Sequence, residues 1–212
     1  EELLGHLSAL GPKVQIFSVD LAAVPKELSH GVALSKLTRE LTIAASEVPG
    51  GGPQILLRLP AQPGLTLEAQ RQLVGDVAEA AWSGTAAGLV LCHDDSACEG
   101  FGGSDVSRRN LKDQLSEAFS RSKGELMLIA SGGLRNGRDA MDAVAAGATV
   151  VQISSLMLTE GPISCRRIKN EMAQILMQEG HTNLQSVVGS DVLRKTVKTK
   201  QKKRNPWKPK PA

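Results

Sequence analysis

The segment SGGLRNGRDAMDAVAAGATVVQISS, residues 131–155, sits between an apolar run, ELMLIA (125–130), and a turn to the carboxyl-terminal third of the chain. Read from its start, a strand ends at Ser131 and a glycine pair, Gly132-Gly133, lets the backbone turn with its N–H groups exposed. A helix is predicted over 137–146, stopping at Gly147, a residue suited to helix ends. A second strand, TVVQIS, begins sixteen residues past Gly133 and ends in the hydroxyl pair Ser154-Ser155. Two adjacent parallel strands would bring both pairs to one end, where (β/α)-barrels hold phosphate between their last two strand-to-helix loops. Gly132, Gly133, Ser154 and Ser155 are therefore the candidate anion-binding residues.

Working outward, the same alternation recurs. Short β-branched and aliphatic runs lie at KVQIFSV (13–19), QILLRL (54–59) and GLVLC (88–92), in addition to 125–130 and 149–154. They read as parallel strands apolar on both faces. Helical patterns intervene at 32–47 (Val32, Leu34, Leu37, Leu41, Ala44), 66–82 (capped by Thr66) and 110–121 (Leu111, Leu115, Phe119). Another follows at 163–179 (Ile168, Met172, Ile175, Leu176), and a partial helix at 1–10 precedes the first strand. Five βα units joined by right-handed crossovers leave two architectures, a doubly wound sheet or part of an α/β barrel.

Composition bounds the function. With 212 residues, 41% apolar and 22% charged, one compact core plus appendages is expected. Three Phe, two Trp and no Tyr argue against a base-stacking nucleic-acid module. No run approaches the roughly 20 apolar residues of a bilayer span, so a soluble chain is expected. The sequence opens on Glu1 rather than Met, which fits a processed or partial chain. Cys92, Cys98 and Cys165 show no CxxC spacing, so reduced thiols are expected rather than disulfides or zinc ligands. Cys92-His93-Asp94-Asp95 alternates faces on a strand and makes a poor metal site. His6, His30 and His181 lack spaced partners, and Arg108-Arg109 and Arg166-Arg167 read as solvated helix faces or partner contacts.

Charge divides the chain at about residue 193. From Arg194 to Ala212 there are nine basic residues and no acidic one, which leaves sixteen basic against 22 acidic before it, a net of −6. The tail RKTVKTKQKKRNPWKPKPA holds three prolines and little to bury, so residues 194–212 are expected to be unfolded or laid on a partner. Lys198, Lys200, Lys202, Lys203, Arg204, Lys208 and Lys210 suit an anionic surface such as RNA, an acidic protein or lipid headgroups, with Trp207 as an anchor among prolines.

The stretch LMLIASGGLRNGRDAMDAVAAGATVVQISSLMLTEGP, followed by RRIKNEMAQILMQEGHTNLQSVVGSD, resembles the carboxyl-terminal part of the dihydroorotate dehydrogenases, most closely the membrane-associated class. The resemblance continues more weakly through ILLRLPAQPGLT and GLVLCHDDSA to about residue 12. It implies a (β/α)8 barrel binding FMN and oxidising dihydroorotate, with the five units here as strands four to eight. The departures fall at the reacting end. Phe17 takes the position of a substrate-binding Asn, and Asp20 lies near that of the Ser or Cys base. Arg58 aligns with a flavin-contacting Lys, Cys92-His93 with a Thr-Asn pair, GFGGSD (100–105) with a glycine loop, and Ser154-Ser155 with a Tyr-Thr pair. Only the phosphate end looks chemically serviceable.

These changes imply a catalytically inactive relative, a structural subunit of a large mitochondrial assembly such as a ribosome or a respiratory or ATP synthase complex, without a cofactor. An FMN-dependent oxidoreductase with its first strands elsewhere is the alternative, and a phosphate or nucleotide binder without redox chemistry the third reading.

Overall fold

The computed structural model describes residues 2–10, 13–29, 31–48, 52–62, 64–92 and 105–204, with side chains described throughout except at 8, 10, 105–107 and 198–204. Five strands, β1 (Ile16–Asp20), β2 (Gln54–Leu59), β3 (Gly88–Cys92), β4 (Met127–Ser131) and β5 (Val150–Gln152), form one parallel sheet in the order β1-β2-β3-β4-β5. Order in space equals order in sequence, so the doubly wound alternative, which needs a reversal of strand order, is excluded. The remaining architecture is a run of consecutive barrel units.

The helices are α1 (Glu2–Leu10), α2 (Gly31–Ser46), α3 (Leu67–Ser83), α4 (Asp105–Arg121), α5 (Gly137–Ala145), α6 (Ser155–Glu160), α7 (Ile163–Gln178) and α8 (Ser190–Arg204). Helix α3 starts where its cap dictates, because the Thr66 hydroxyl accepts the Ala69 N–H at 3.3 Å. Right-handed crossovers place α2 to α5 on one face of the sheet. There Val19, Ile55, Leu57, Leu59, Leu89, Leu91, Leu128 and Ala130 meet Leu34, Leu41, Val77, Leu115 and Ala143 in one buried cluster.

The opposite face carries the alternate residues, and its cover is uneven. Leu56 and Val90, at the centre, are buried, whereas Ile16 and Val150 at the two edges are exposed. The expectation of strands apolar on both faces therefore holds at Leu56 and Val90 and fails at the two ends of β2, where Gln54 and Arg58 are exposed, at β1, where Ser18 is exposed, and at β5, where Val150 and Gln152 are exposed. β1 begins at Ile16, three residues later than its apolar pattern suggests.

The basic tail is corrected as well. Helix α8 runs through residues 194–204, where composition predicts unfolded chain. Lys, Arg and Gln are good helix formers, and packing of Val192 at the start of α8 anchors the rest of the helix. Trp207, Lys208 and Lys210 lie outside the described residues. No helix among the described residues is long and apolar enough to cross a membrane.

The turn into α8 depends on Gly189, which adopts φ +69° against the Phe119 ring; a Cβ there would collide with the ring. Gly189→Ala combines left-handed strain with overpacking and is expected to cost about 2 kcal/mol. Chemical denaturation of the pair of proteins measures it.

Candidate functional site

Parallel strands put every strand-to-helix loop at one end of the sheet, so the candidate residues converge there whatever their chemistry. They form two groups. Asp20, Arg58 and Cys92 close β1, β2 and β3; Gly132-Gly133 and Ser154-Ser155 follow β4 and β5.

In the first group Arg58 lies between its neighbours. Its Nε–H donates to Cys92 Sγ at 3.2 Å, and Nη1 stands 3.7 Å from Asp20 Oδ2. Contact with the Cys92 sulfur, followed by a smaller contribution from Asp20, holds the guanidinium above its ordinary pKa. Asp20 Oδ1 accepts the Ala22 N–H at 2.9 Å, fixing the turn after β1. Both carboxylate oxygens thus face donors, and the group is 41% exposed.

Register corrects one alignment. Phe17 packs with Val19 against the helix-side cluster, so its ring points away from the open face that carries Ile16, Ser18 and Asp20. It is a half-buried residue at the margin of the helix-side core. Sequence could not separate these roles, since an apolar residue fits either face of β1. His93 and residues 100–104 of the glycine loop lie outside the described residues, as do His30 and Cys98. His6 is exposed, and His181 stands 4.0 Å from Glu179. Among the described residues no group of three or more His, Cys, Asp or Glu could hold a metal ion.

The second group follows two neighbouring strands. β4 and β5 pair with Ser131 opposite Gln152, so the glycine pair and the serine pair leave adjacent strand ends. Gly132 and Gly133 take φ +91° and +70°, conformations that ordinary side chains resist. Ser154 precedes α6 without capping it through its side chain. Loops after two adjacent strands followed by a short extra helix make the usual barrel phosphate cradle, and these loops share that arrangement, with the Gly132 N–H donating to the Gln152 carbonyl at 3.4 Å. At the ends of β1 to β3, Arg58 spends its Nε–H on Cys92 and turns Nη1 toward Asp20, with its side chain 51% exposed.

Sequence reasoning missed the carboxylate that organises this corner. Glu171, on α7, accepts the Gly137 N–H at 2.6 Å, occupying the amino-terminal end of α5. Arg167 donates to Glu171 at 2.9 Å, to Glu160 at 2.7 Å and to the Arg135 carbonyl at 3.0 Å. Arg167 is thus a clamp between α6, α7 and the loop before α5, a correction to its reading as a solvated face. Asn136 caps α5 by accepting the Asp139 N–H at 2.9 Å, and Arg108 pairs with Asp139 at 3.6 Å. Glu171 lies 34 residues from Gly137, and no local pattern announces the contact.

Comparison with known proteins agrees with the architecture. The sequence model of the dihydroorotate dehydrogenase family matches residues 87–176. Over 154 residues the chain is 32% identical to the dihydroorotate dehydrogenase (quinone) of Rhodospirillum rubrum, covering 68% of this chain and 40% of that protein. It is 36% identical over 77 residues to the mitochondrial dihydroorotate dehydrogenase (quinone) of Oryza sativa subsp. japonica, covering 36% of this chain and 16% of that one. The crystal structure of DHODH in complex with ferulenol from Eimeria tenella superposes with a TM-score of 0.72 at 22% identity, covering 89% of this chain and 57% of that one. The chain spans less than half of these curated relatives.

Glu171 supplies a pH test. The Gly137 N–H first and Arg167 second lower its pKa, so its stabilisation is present above the unfolded carboxylate value of about 4.3 and is lost as pH falls through the lower folded value. Glu171→Gln is expected to cost about 1 kcal/mol at neutral pH and to flatten the acid limb of a thermal-stability profile.

Proposed function

As a divergent relative of the dihydroorotate dehydrogenase family, the chain carries part of that scaffold, and we propose that it serves as a non-catalytic structural subunit of a large assembly. The observation that carries this reading is the Asp20–Arg58–Cys92 contact at the reacting end. Dihydroorotate oxidation needs a base in reach of a proton and a hydride acceptor held in near-attack geometry. Here the carboxylate nearest the base position is water-exposed and faces a guanidinium, and the cation at the flavin-contacting position is turned to its neighbours. Without that end, the fold retains shape, a phosphate-type turn and surfaces.

A mitochondrial setting is proposed from the family's membrane-associated class and from the mitochondrial rice relative. The basic carboxyl terminus is proposed to reach a neighbour's anionic surface. Within Arg194–Arg204 seven of eleven residues are basic, none is acidic and Val197 alone is a large apolar residue. A membrane-inserting helix needs an apolar face, and this one has none, so a polyphosphate such as RNA suits it better.

One observation favours a second reading. The loops at Gly132-Gly133 and Ser154-Ser155 keep a backbone suited to phosphate, which would serve FMN in an altered oxidoreductase, or a phosphate ligand alone.

The readings separate by spectroscopy and turnover. The purified chain is expected to stay colourless after incubation with excess FMN and to reduce no quinone with dihydroorotate. Stoichiometric flavin uptake with dihydroorotate-dependent reduction would sink the structural reading; heat on titration with inorganic phosphate, without redox activity, would support the binder. For the tail, replacing Lys198, Lys200, Lys202 and Lys203 by Glu is expected to abolish retention on RNA. The native tail's affinity should itself fall steeply with salt, by about one power of salt concentration per phosphate contact.

A further inference from the structure

We infer that the cleft between α4 and α5 binds a small zwitterion carrying an aliphatic side chain, of the class of a free α-amino acid. The site lies in the helix layer, where α4 crosses from β3 to β4 and α5 from β4 to β5, so both of its walls belong to the described chain. It goes beyond the structural-subunit reading and does not rest on it.

Charge defines the cleft. Helix α4 supplies Arg108, Arg109 and Lys112 and helix α5 supplies Asp139 and Asp142, so a cationic wall faces an anionic one. Two of the cations are engaged within the protein: Arg108 pairs with Asp139 at 3.6 Å, and Lys112 pairs with Asp191 of α8 at 2.9 Å. Arg109 and Asp142 are exposed, and among the described residues neither side chain makes a hydrogen bond or an ion pair, with the other or with any neighbour. Asp142 acts only at longer range, on Arg138 of its own helix. The two charges therefore stand apart on opposite walls. Between them the cleft is apolar, since Leu111 and Leu134, 3% and 6% exposed, form its floor. Its volume is about 210 Å³, below the roughly 300–1,000 Å³ of sites for drug-sized ligands.

The same arrangement selects the ligand. A simple anion drawn to Arg109 meets the carboxylates of Asp139 and Asp142, and a simple cation drawn to Asp142 meets the three cations of α4. An uncharged apolar molecule strips water from both free charges and returns a partner to neither. A molecule with both signs close together is attracted at both walls, and an aliphatic substituent on it covers Leu111 and Leu134. An α-amino acid has this form. Its carboxylate matches the guanidinium fork of Arg109, its ammonium faces Asp142, and its side chain lies on the floor.

The test titrates the whole chain with L-leucine, N-acetyl-L-leucine and L-leucinamide, followed by saturation-transfer NMR of each compound. L-Leucine is expected to saturate with a Kd on the order of 1 mM, as suits a small ligand held by exposed charges. N-Acetyl-L-leucine lacks the ammonium and L-leucinamide the carboxylate, and each is expected to bind about fivefold more weakly, the effect of losing one exposed ion pair. Arg109→Gln should erase the difference between leucine and leucinamide and keep that between leucine and N-acetyl-leucine; Asp142→Asn should do the reverse. Both side chains are exposed and unpaired, so the variants keep the fold, which an unchanged denaturation midpoint checks, and the three compounds test the site on the unaltered chain without them. Absence of saturable leucine binding at tenfold that concentration, equal affinity of the three compounds for the unaltered chain, or selectivity unchanged in either variant overturns the proposal.

Discussion

Parallel pairing in sequence order governs this molecule. Each connection must climb back to the start of the sheet, and right-handed crossovers put all of those connections on one side. The buried core is consequently one-sided, built between β2–β4 and helices α2 to α5. The same constraint collects every strand-to-helix loop at one end, which is why chemically unrelated groups such as Asp20, Arg58 and Gly133 share a rim. It also leaves the two outermost strands half paired, and unpaired edges in a folded domain are a liability that needs cover.

Stability at the rim has a different origin from stability in the core. The Arg58–Asp20 pair is about half exposed, and such pairs contribute roughly 0–1 kcal/mol. Its effect is positional, since it sets how the two side chains sit at the ends of β1 and β2. At the β4–β5 corner the contacts are denser. One guanidinium, that of Arg167, holds two carboxylates and a carbonyl, and one of those carboxylates holds a helix amide. This network fixes α5, α6 and α7 around the phosphate-type turn, so the turn keeps its form through contacts within the protein itself.

The βα rhythm was legible because each strand is a separate apolar run and each helix has an apolar stripe. Thr66 and Gly147 marked ends through their own local chemistry. Strand order was not legible, as the alternation suits two architectures and only pairing decides between them. Phe17 shows a second limit: one residue of register separates a core ring from a site residue, and β1 is too weakly patterned to fix it. The helical stretch from Arg194 to Arg204 was hidden by composition, because polar Lys-rich sequence carries helix propensity without an apolar stripe. Glu171 and Arg167 were hidden by distance, since they act on residues more than thirty positions away.

Closure links the rim to the edges. A barrel enzyme works on a desolvated substrate, because water excluded from the site strengthens each polar contact and keeps a buried base basic. Among the described residues the sheet is open, and Arg58 and Asp20 meet on its rim with side chains 51% and 41% exposed. The apolar residues that closure would bury, Ile16 and Val150, are left at the edges.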